Sequence, residues 1–372
     1  MGEQAYRPER RNVAAAVLAV AAAYVYFLIF AQFGFLQAVR QLTGGVAGVV
    51  RPVMAVMGVA GLAGSVSAAA IFSVERSRRS LVAGFAVCGT AAGLAMGPGT
   101  MALYYVIALL VGLGAGLTTV TLASVLRRAV GGERLGQVIG LGTGLAYGFC
   151  NLPVVFAAGA TAQALMGVLA AGAGLVAATA LSFNAPAHPP AGGDYTKPGM
   201  TAWVLIFLSL VCLDSAAFYI IQHTPDLKAA TWSGAGRLEV NAGLHLVAAW
   251  LAGYALDRHW VGRTVAIGGG ALLLACLSID QGSRTLAANA LLYAAGVSIY
   301  STALVFYPAR SLRPWLAAVV YAVAGWGGSA IGIGLAENRP VVPPGLILAA
   351  GSVIGLGLLA RHLIRRREDT EA

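Results

Sequence analysis

Long apolar runs alternate with short polar breaks along the whole chain. A helix needs about 20 predominantly apolar residues to cross a hydrocarbon layer. Runs that approach or exceed this length occur at Val13–Leu36, Val50–Phe72, Ser80–Met96, Met101–Leu126, Leu135–Gly159 and Gln163–Phe183. A second set follows at Met200–Ile221, Val240–Leu256, Val265–Ile279, Thr285–Phe306, Trp315–Leu335 and Pro344–Ile364. The pattern therefore predicts an all-α integral membrane protein with twelve transmembrane helices, of which the third and ninth are short. A membrane β-barrel would instead show short segments of alternating hydrophobicity. The longest polar interruption on one side, Asn184–Gly199, holds Pro186, Pro189, Pro190, Gly192, Gly193 and Pro198. Such a composition makes an extended linker. It divides the chain into six-helix halves at 1–183 and 200–372, with 184–199 between them.

Composition sharpens this picture. Hydrophobic residues are 59% of the 372 and charged residues 10%, with a mean hydropathy of +0.79. Soluble domains carry roughly 25% charged residues, so lipid is the expected solvent. In lipid every backbone polar group must be paired within its own segment, which selects helices. The net charge of +10 would point to nucleic acid in a soluble protein. Here the basic residues form clusters between apolar runs, so they are read as topology signals and no nucleic-acid partner is expected. One side collects Arg7, Arg10, Arg11, Arg76, Arg78, Arg79, Arg127, Arg128, Arg134, Lys197, Arg258, Arg263, Arg310, Arg313, Arg361, Arg365, Arg366 and Arg367. The other has Arg40, Arg51, Lys228, Arg237, Arg284 and Arg339. Both termini are thus expected to be cytoplasmic, in the inner membrane of a bacterium. The start Met1–Asn12 is followed by an apolar run too long for a cleaved signal, and it reads as a retained first span. Cys88, Cys150, Cys212 and Cys276 are widely spaced within spans, so neither a disulfide framework nor a zinc site is expected.

The connection after the eighth run reads Gly253-Tyr254-Ala255-Leu256-Asp257-Arg258-His259-Trp260-Val261-Gly262-Arg263. It resembles the loop signature of the major facilitator superfamily of secondary transporters, in which a Gly precedes an Asp-Arg pair and a Gly-Arg pair. The spacing between the two pairs departs from that signature. The family's earlier copy, between the second and third spans, resembles Val74-Glu75-Arg76-Ser77-Arg78-Arg79, with Glu75 standing for Asp. The stretch Arg127-Arg128-Ala129-Val130-Gly131-Gly132-Glu133-Arg134 is similar to the family's loop before span five. The resemblance implies the two-half fold, alternating access, and a conformational gate at Asp257, Arg258, Arg263, Glu75, Arg76 and Arg79. An Arg ahead of the glycines in span four and a Gly-Pro pair in span five are missing at Ala108–Gly112 and Gly148–Pro153, which weighs against drug efflux.

Within the spans, Asp214 is the most informative residue. A carboxylate at membrane depth costs about 2.5 kcal/mol or more and normally faces a bundle interior or a water-filled cavity. It shares a helical face with Phe218 and Gln222. His245, at a similar depth, is its expected partner, with Asn241 one turn away. Tyr24 and Gln32 on span one, Tyr147 and Asn151 on span five, and Tyr293, Ser298, Tyr300 and Ser301 on span ten complete an amphipathic cavity suited to an organic ligand. Gly112, Gly114, Gly116, Gly140, Gly144 and Gly148 are read as helix-packing faces. Arg40 and Arg51 flank an outer loop, where such charges can attract an anionic substrate, and are read first as solvated loop charges. The expected function is secondary active or facilitative transport of a small organic solute, with Asp214 as the site for coupling protons. A non-transporting scaffold or sensor is the alternative. Copper transport through Met54 and Met57, one turn apart, is a lesser one. No motif of a catalytic nucleophile, phosphate loop or metal-ligand cluster is present, so neither enzyme chemistry nor a cofactor is expected. The loop residues His223 and Asp226 are the only candidates for such chemistry. A monomer in the lipid bilayer is the expected assembly.

Overall fold

The computed structural model describes residues 10–44, 47–185, 193–279, 286–337 and 339–371. The described residues are helical with short connections, and no strand occurs among them. The long helices are α1 (Arg10–Thr43), α2 (Ala47–Ala70), α3 (Ser77–Leu94), α4 (Met101–Val130), α5 (Leu135–Cys150) and α6 (Ala160–Ala180). They continue as α7 (Lys197–His223), α8 (Ala235–Asp257), α9 (Val261–Ser278), α10 (Leu286–Ser311), α11 (Pro314–Ala336) and α12 (Pro344–Glu371). Among the described residues nine helices are long and apolar enough to cross a membrane: α1, α2, α4, α6, α7 and α9–α12. Helix α5 spans 16 residues, α3 opens on Ser77-Arg78-Arg79, and α8 carries Arg237, Glu239, Asn241 and His245. Large apolar side chains such as Leu169, Val176, Ile267, Leu348 and Leu356 are more than half exposed. An apolar exterior of this kind belongs in lipid, and the chain is a multi-pass membrane protein.

Glycines decide how closely the helices approach. Helix α5 runs antiparallel to α8, with Gly136 against Gly253, Gly140 against Ala249 and Gly144 against Leu246. A Cβ placed on Gly253 would stand 2.2 Å from the Gly136 carbonyl oxygen, so only glycine permits this contact. Gly112 and Gly116 press α4 onto α2, and Gly114 packs against Cys88 of α3. On the other flank Trp326 of α11 lies on Gly61 of α2 and meets Phe27 of α1 edge-on at 6.0 Å. The helices before residue 184 and those after residue 196 thus meet along two seams, α5 with α8 and α2 with α11. Met54 and Met57 lie in the apolar cluster of the first helices, Met57 buried and Met54 packed against it.

The face bearing the arginine clusters is stitched by buried polar groups. Asn12 Nδ2 donates to the Ser182 carbonyl at 3.0 Å, and Asn12 Oδ1 accepts from Ser182 N at 2.9 Å. The Asn12 amide also donates to the Ala129 carbonyl, tying α1 to the ends of α4 and α6. Asp194, in a short turn at Gly193–Tyr195, forms a two-pronged ion pair with Arg361 of α12, at 2.5 and 3.1 Å. Trp203 Nε1 donates to the same carboxylate at 3.3 Å, Arg361 lies 5.0 Å over the Trp203 ring, and the Tyr307 hydroxyl donates to the Asp194 carbonyl at 2.8 Å. The end of the expected linker therefore docks on α7, α10 and α12, and α7 begins at Lys197 with Thr196 as its cap. Residues 186–192 of that linker lie outside the described residues.

Other boundaries differ from expectation for local reasons. The fifth run was expected to continue to Gly159, but α5 ends at Cys150. Pro153 lacks an amide hydrogen, and it holds Leu152 extended before a separate turn at Pro153–Phe156. Helices α1 and α11 are wound as π-helix over Tyr26–Gly34 and Val320–Gly327, a change without a local sequence signature.

Two stability experiments test this packing. Gly253→Leu should lower the melting temperature of the detergent-solubilised protein, at a cost of about 1–3 kcal/mol, whereas Gly270→Leu, with open space around it, should be near neutral. Equal effects would contradict the close α5–α8 contact. Asp194→Ala and Arg361→Ala should each cost about 3–5 kcal/mol by leaving the other charge buried and unpaired. The double variant should cost clearly less than the sum, and strict additivity would show that the two groups do not act as a pair.

Candidate functional site

Asp214 lies well inside the 27-residue α7, where its carboxylate must find partners from neighbouring helices. Both come from α10. The Tyr293 hydroxyl donates to Asp214 Oδ1 at 2.7 Å, and the Tyr300 hydroxyl donates to Oδ2. Their seven-residue spacing is two helical turns, so the tyrosines share a face and bracket the carboxylate. Donors to an ionised acceptor form the stronger class of hydrogen bond.

His245 is not the partner of Asp214 that the sequence led us to expect. It is buried on α8 with Nδ1 2.6 Å from Ser298 Oγ, and its ring stacks on Tyr147 at 4.9 Å and 11°. The two titratable groups bond to different residues of α10, His245 to Ser298 and Asp214 to Tyr293 and Tyr300, and are not bonded to each other. Tyr147 extends the chain of contacts, with its hydroxyl 3.1 Å from Ser301 Oγ and its ring 6.0 Å from Tyr24. Thr143 and Thr302 hydroxyls meet at 3.0 Å one layer nearer the basic face. Ser215, beside Asp214, donates to Ser329 of α11 at 3.0 Å. Residues of α1, α5, α7, α8, α10 and α11 thus converge on one polar layer. Tyr24, Tyr147, Asp214 and Tyr321 retain partial exposure within it.

One turn beyond Tyr147 and His245, on the same faces of α5 and α8, stand Asn151 and Asn241. Asn151 Nδ2 donates to the Tyr147 carbonyl and Asn241 Nδ2 to the Thr231 carbonyl, both at 2.9 Å. Their Oδ1 atoms are buried without a hydrogen-bond partner, as is Gln222 Nε2. Gln32 is half-buried on α1. Above this layer Phe33, Phe156, Phe218 and Trp232 form a ring cluster, with centroids 5.6–6.0 Å apart. It joins α1 and the Pro153–Phe156 turn to α7 and the short helix Pro225–Trp232. The charges that looked like loop ornaments also connect the two groups of helices. Arg40 donates to His223 Nε2 at 3.1 Å, and Arg51 forms an ion pair with Glu337. His223 Nδ1 is bound to the Tyr219 carbonyl at 2.7 Å, so it is a structural group in this arrangement.

On the basic face Asp257 accepts from the amides of Gly136 at 2.5 Å and Gln137 at 2.9 Å, at the start of α5. A carboxylate at a helix N-terminus is favoured by the unpaired amides and the dipole. The rest of the expected gate is arranged differently. Arg258 and Arg263 are exposed and cover the Tyr254 and Trp260 rings, at 4.4 and 5.6 Å. Neither forms an ion pair with Asp257: Arg258 follows it into a turn that passes through His259 at φ 64°, and Arg263 lies in the first turn of α9. Glu75, Arg76 and Arg79 are exposed, and it is Arg78 that reaches across, donating to the Leu181 carbonyl at 2.7 Å. Arg127 Nη1 donates to the Arg310 carbonyl at 2.7 Å, linking α4 to α10. Sequence reasoning had no access to the aromatic cluster, the Asp194–Arg361 pair or the Arg127 contact, since each joins segments far apart in the chain.

No family model matches the sequence, and no curated protein matches it. Solved structures do match its fold. The human organic anion transporter MFSD10 (TETRAN) aligns with a TM-score of 0.64 at 14% identity, covering 96% of this chain and all of that one. A bacterial homologue of the iron transporter ferroportin, in an outward-facing state, aligns with a TM-score of 0.64 at 12% identity, covering 95% of this chain and 98% of that one. The same homologue with soaked iron gives 0.59 at 13% identity, with coverage of 95% and 98%. The chain has the major facilitator fold.

Tyr293→Phe and Tyr300→Phe each remove a hydrogen bond to a charged group. Each should lower stability by about 1.5–3 kcal/mol in thermal unfolding, while Tyr219→Phe, near the surface, should stay close to wild type. Neutral effects at both α10 positions would show that these hydroxyls do not hold the carboxylate.

Proposed function

We propose that this protein is a secondary transporter of a small organic solute that works by alternating access, with Asp214 at the centre of its site and available to carry coupling protons. The observation that carries the reading is the position of the Asp214–Tyr293–Tyr300 group between two separate layers of contacts joining the N-terminal and C-terminal helices. One layer consists of Arg51–Glu337, Arg40–His223 and the four-ring cluster. The other consists of Asp257 on the start of α5 and Arg127 on Arg310. Opening either layer alone would expose the site to one side. The contacts in both layers are few and polar or aromatic, of the kind that re-form after separation.

In this reading α3, α5 and α8 span the membrane with the nine strongly apolar helices, giving twelve spans in two six-helix halves, 1–183 and 200–372, joined by 184–199. The arginine-rich face is cytoplasmic under the positive-inside rule, with both termini there. The protein is a monomer of a bacterial inner membrane. Gln32, Tyr24, Tyr147, Asn151, Gln222, Asn241 and His245 line the path to Asp214. Met54 and Met57 are packing residues here, because their surroundings are apolar.

Alternating access predicts two populations with opposite openings. Spin labels at Leu42→Cys and Lys228→Cys report the outer layer, and labels at Glu133→Cys and Arg263→Cys report the basic face. The native cysteines are buried and should remain unlabelled. The two distance distributions should be bimodal and anticorrelated. Asp257→Asn should favour the state open at the basic face by roughly five- to thirtyfold, the effect of about 1–2 kcal/mol lost at a helix N-terminus. Short distances on both faces under every condition would remove the transporter reading and leave a fixed scaffold.

A further inference from the structure

We infer that the central site takes an organic cation carrying a hydrogen-bond-donating ammonium group, a protonated amine. The inference rests on the transporter reading and names its substrate class. Four observations carry it. First, Asp214 is a charged side chain that the described structure places deep between the helices, whereas the described arginines and lysines sit at helix ends and connections or, for Arg361, in the ion pair with Asp194 at the basic face. A bound anion would meet a carboxylate there with no cationic side chain to offset it. Second, the carboxylate is not saturated. Two oxygens offer about four acceptor positions, and the tyrosines take one on each oxygen.

Third, the layer beyond it holds two unpaired acceptors, on Asn151 and Asn241, against one unpaired donor, Gln222 Nε2. Asn151 and Asn241 are 8% and 1% exposed, and each amide nitrogen is fixed by donating to a backbone carbonyl. That bond settles which end of the amide is oxygen, so the atoms left unpaired are acceptors at both positions. They lie on the faces that carry Tyr147 and His245, one turn, or about 6 Å, further along. A buried acceptor without a donor is costly, and the N–H bonds of an ammonium group are donors of the kind that the carboxylate and, further along the path, the amide oxygens can accept. Fourth, the polar layer is rich in tyrosine, with Tyr293 and Tyr300 on the carboxylate and the Tyr24–Tyr147 ring pair in the same layer, and aromatic rings attract cations and accommodate a hydrocarbon body.

The same inventory separates this chain from the cargoes named for its structural neighbours. An organic anion finds no basic group at Asp214. A transition-metal ion finds no cluster of three or more His, Cys, Asp or Glu side chains among the described residues, and iron sites are built from such ligands.

Phenethylamine, benzyltrimethylammonium, 3-phenylpropionate and 2-phenylethanol form a matched set of probes that vary the charge and donor capacity on a similar body. With the full-length protein, phenethylamine should raise the melting temperature and redistribute the spin-label populations. Neither phenylpropionate nor phenylethanol should do so at equal concentration. Benzyltrimethylammonium, a cation without N–H donors, should bind more weakly than phenethylamine. Asp214→Asn should weaken the phenethylamine effect at least about tenfold, a change of one decade in affinity. Asp214→Glu, which keeps the charge, should retain most of it and controls for misfolding of the Asn variant. Stabilisation by phenylpropionate instead, or a phenethylamine effect that survives Asp214→Asn, overturns the proposal. If the labels interconvert between faces but no amine shifts them, the cation assignment fails and the transporter reading stands. If the labels never interconvert, both fall.

Discussion

A carboxylate placed in the middle of an apolar helix has no water to solvate it, so it must be met by donors from within the protein. In this fold Asp214 of α7 is met by two tyrosines of α10, and this contact dictates much around it. It sets α7 against α10 in a fixed register. The residues between and just beyond the two tyrosines on α10, Ser298 and Ser301, then fall opposite His245 and Tyr147. Those two stack on each other and draw α8 and α5 into the same layer. A chain of polar contacts therefore crosses the seam between the N-terminal and C-terminal helices at the level where a membrane protein can least tolerate an unpaired group.

The seam itself depends on small residues. Glycines and alanines bring α5 and α8 into backbone contact, and Gly61 leaves room for Trp326 on the opposite flank. Association of helices in lipid gains nothing from burying apolar side chains against one another in place of lipid tails, so close packing and hydrogen bonds must supply the cohesion. Further aromatic and charged contacts lie toward its ends, at Phe33, Phe156, Phe218 and Trp232 on one side and at Asp257 and Arg127 on the other.

Several readings at the level of single residues changed meaning once the helices were assembled. Arg40 and Arg51 read as solvated loop charges and His223 as a loop candidate for chemistry, yet they pair across the molecule. Asp257, Arg258 and Arg263 read as parts of one gate, yet only Asp257 reaches a neighbouring helix end, on the amides of α5, while the two arginines face outward over aromatic rings. Asp194 had no distinction in a proline- and glycine-rich stretch, and it becomes a buried partner of Arg361. In each case the partner lies more than a hundred residues away, and the chain carries no local mark of the pairing.

The sequence by itself determined what depends on solvent and on period. Apolar runs of membrane length placed each long helix, because lipid forces each segment to satisfy its own backbone, although α5 ends nine residues early and α1 and α12 run seven residues further than the runs predict. The depth of Asp214 in its run singled it out, because a charge there is expensive wherever the helix goes. Glycine-rich faces in α4 and α5 marked packing surfaces for the same reason. Tertiary structure decided the rest. Which helix meets Asp214, which side chains close each face, and where α1 and α11 loosen into π-helix depend on rotation and register between segments remote in sequence. Those quantities are set by the summed packing of many weak contacts, and no single stretch of the chain encodes them.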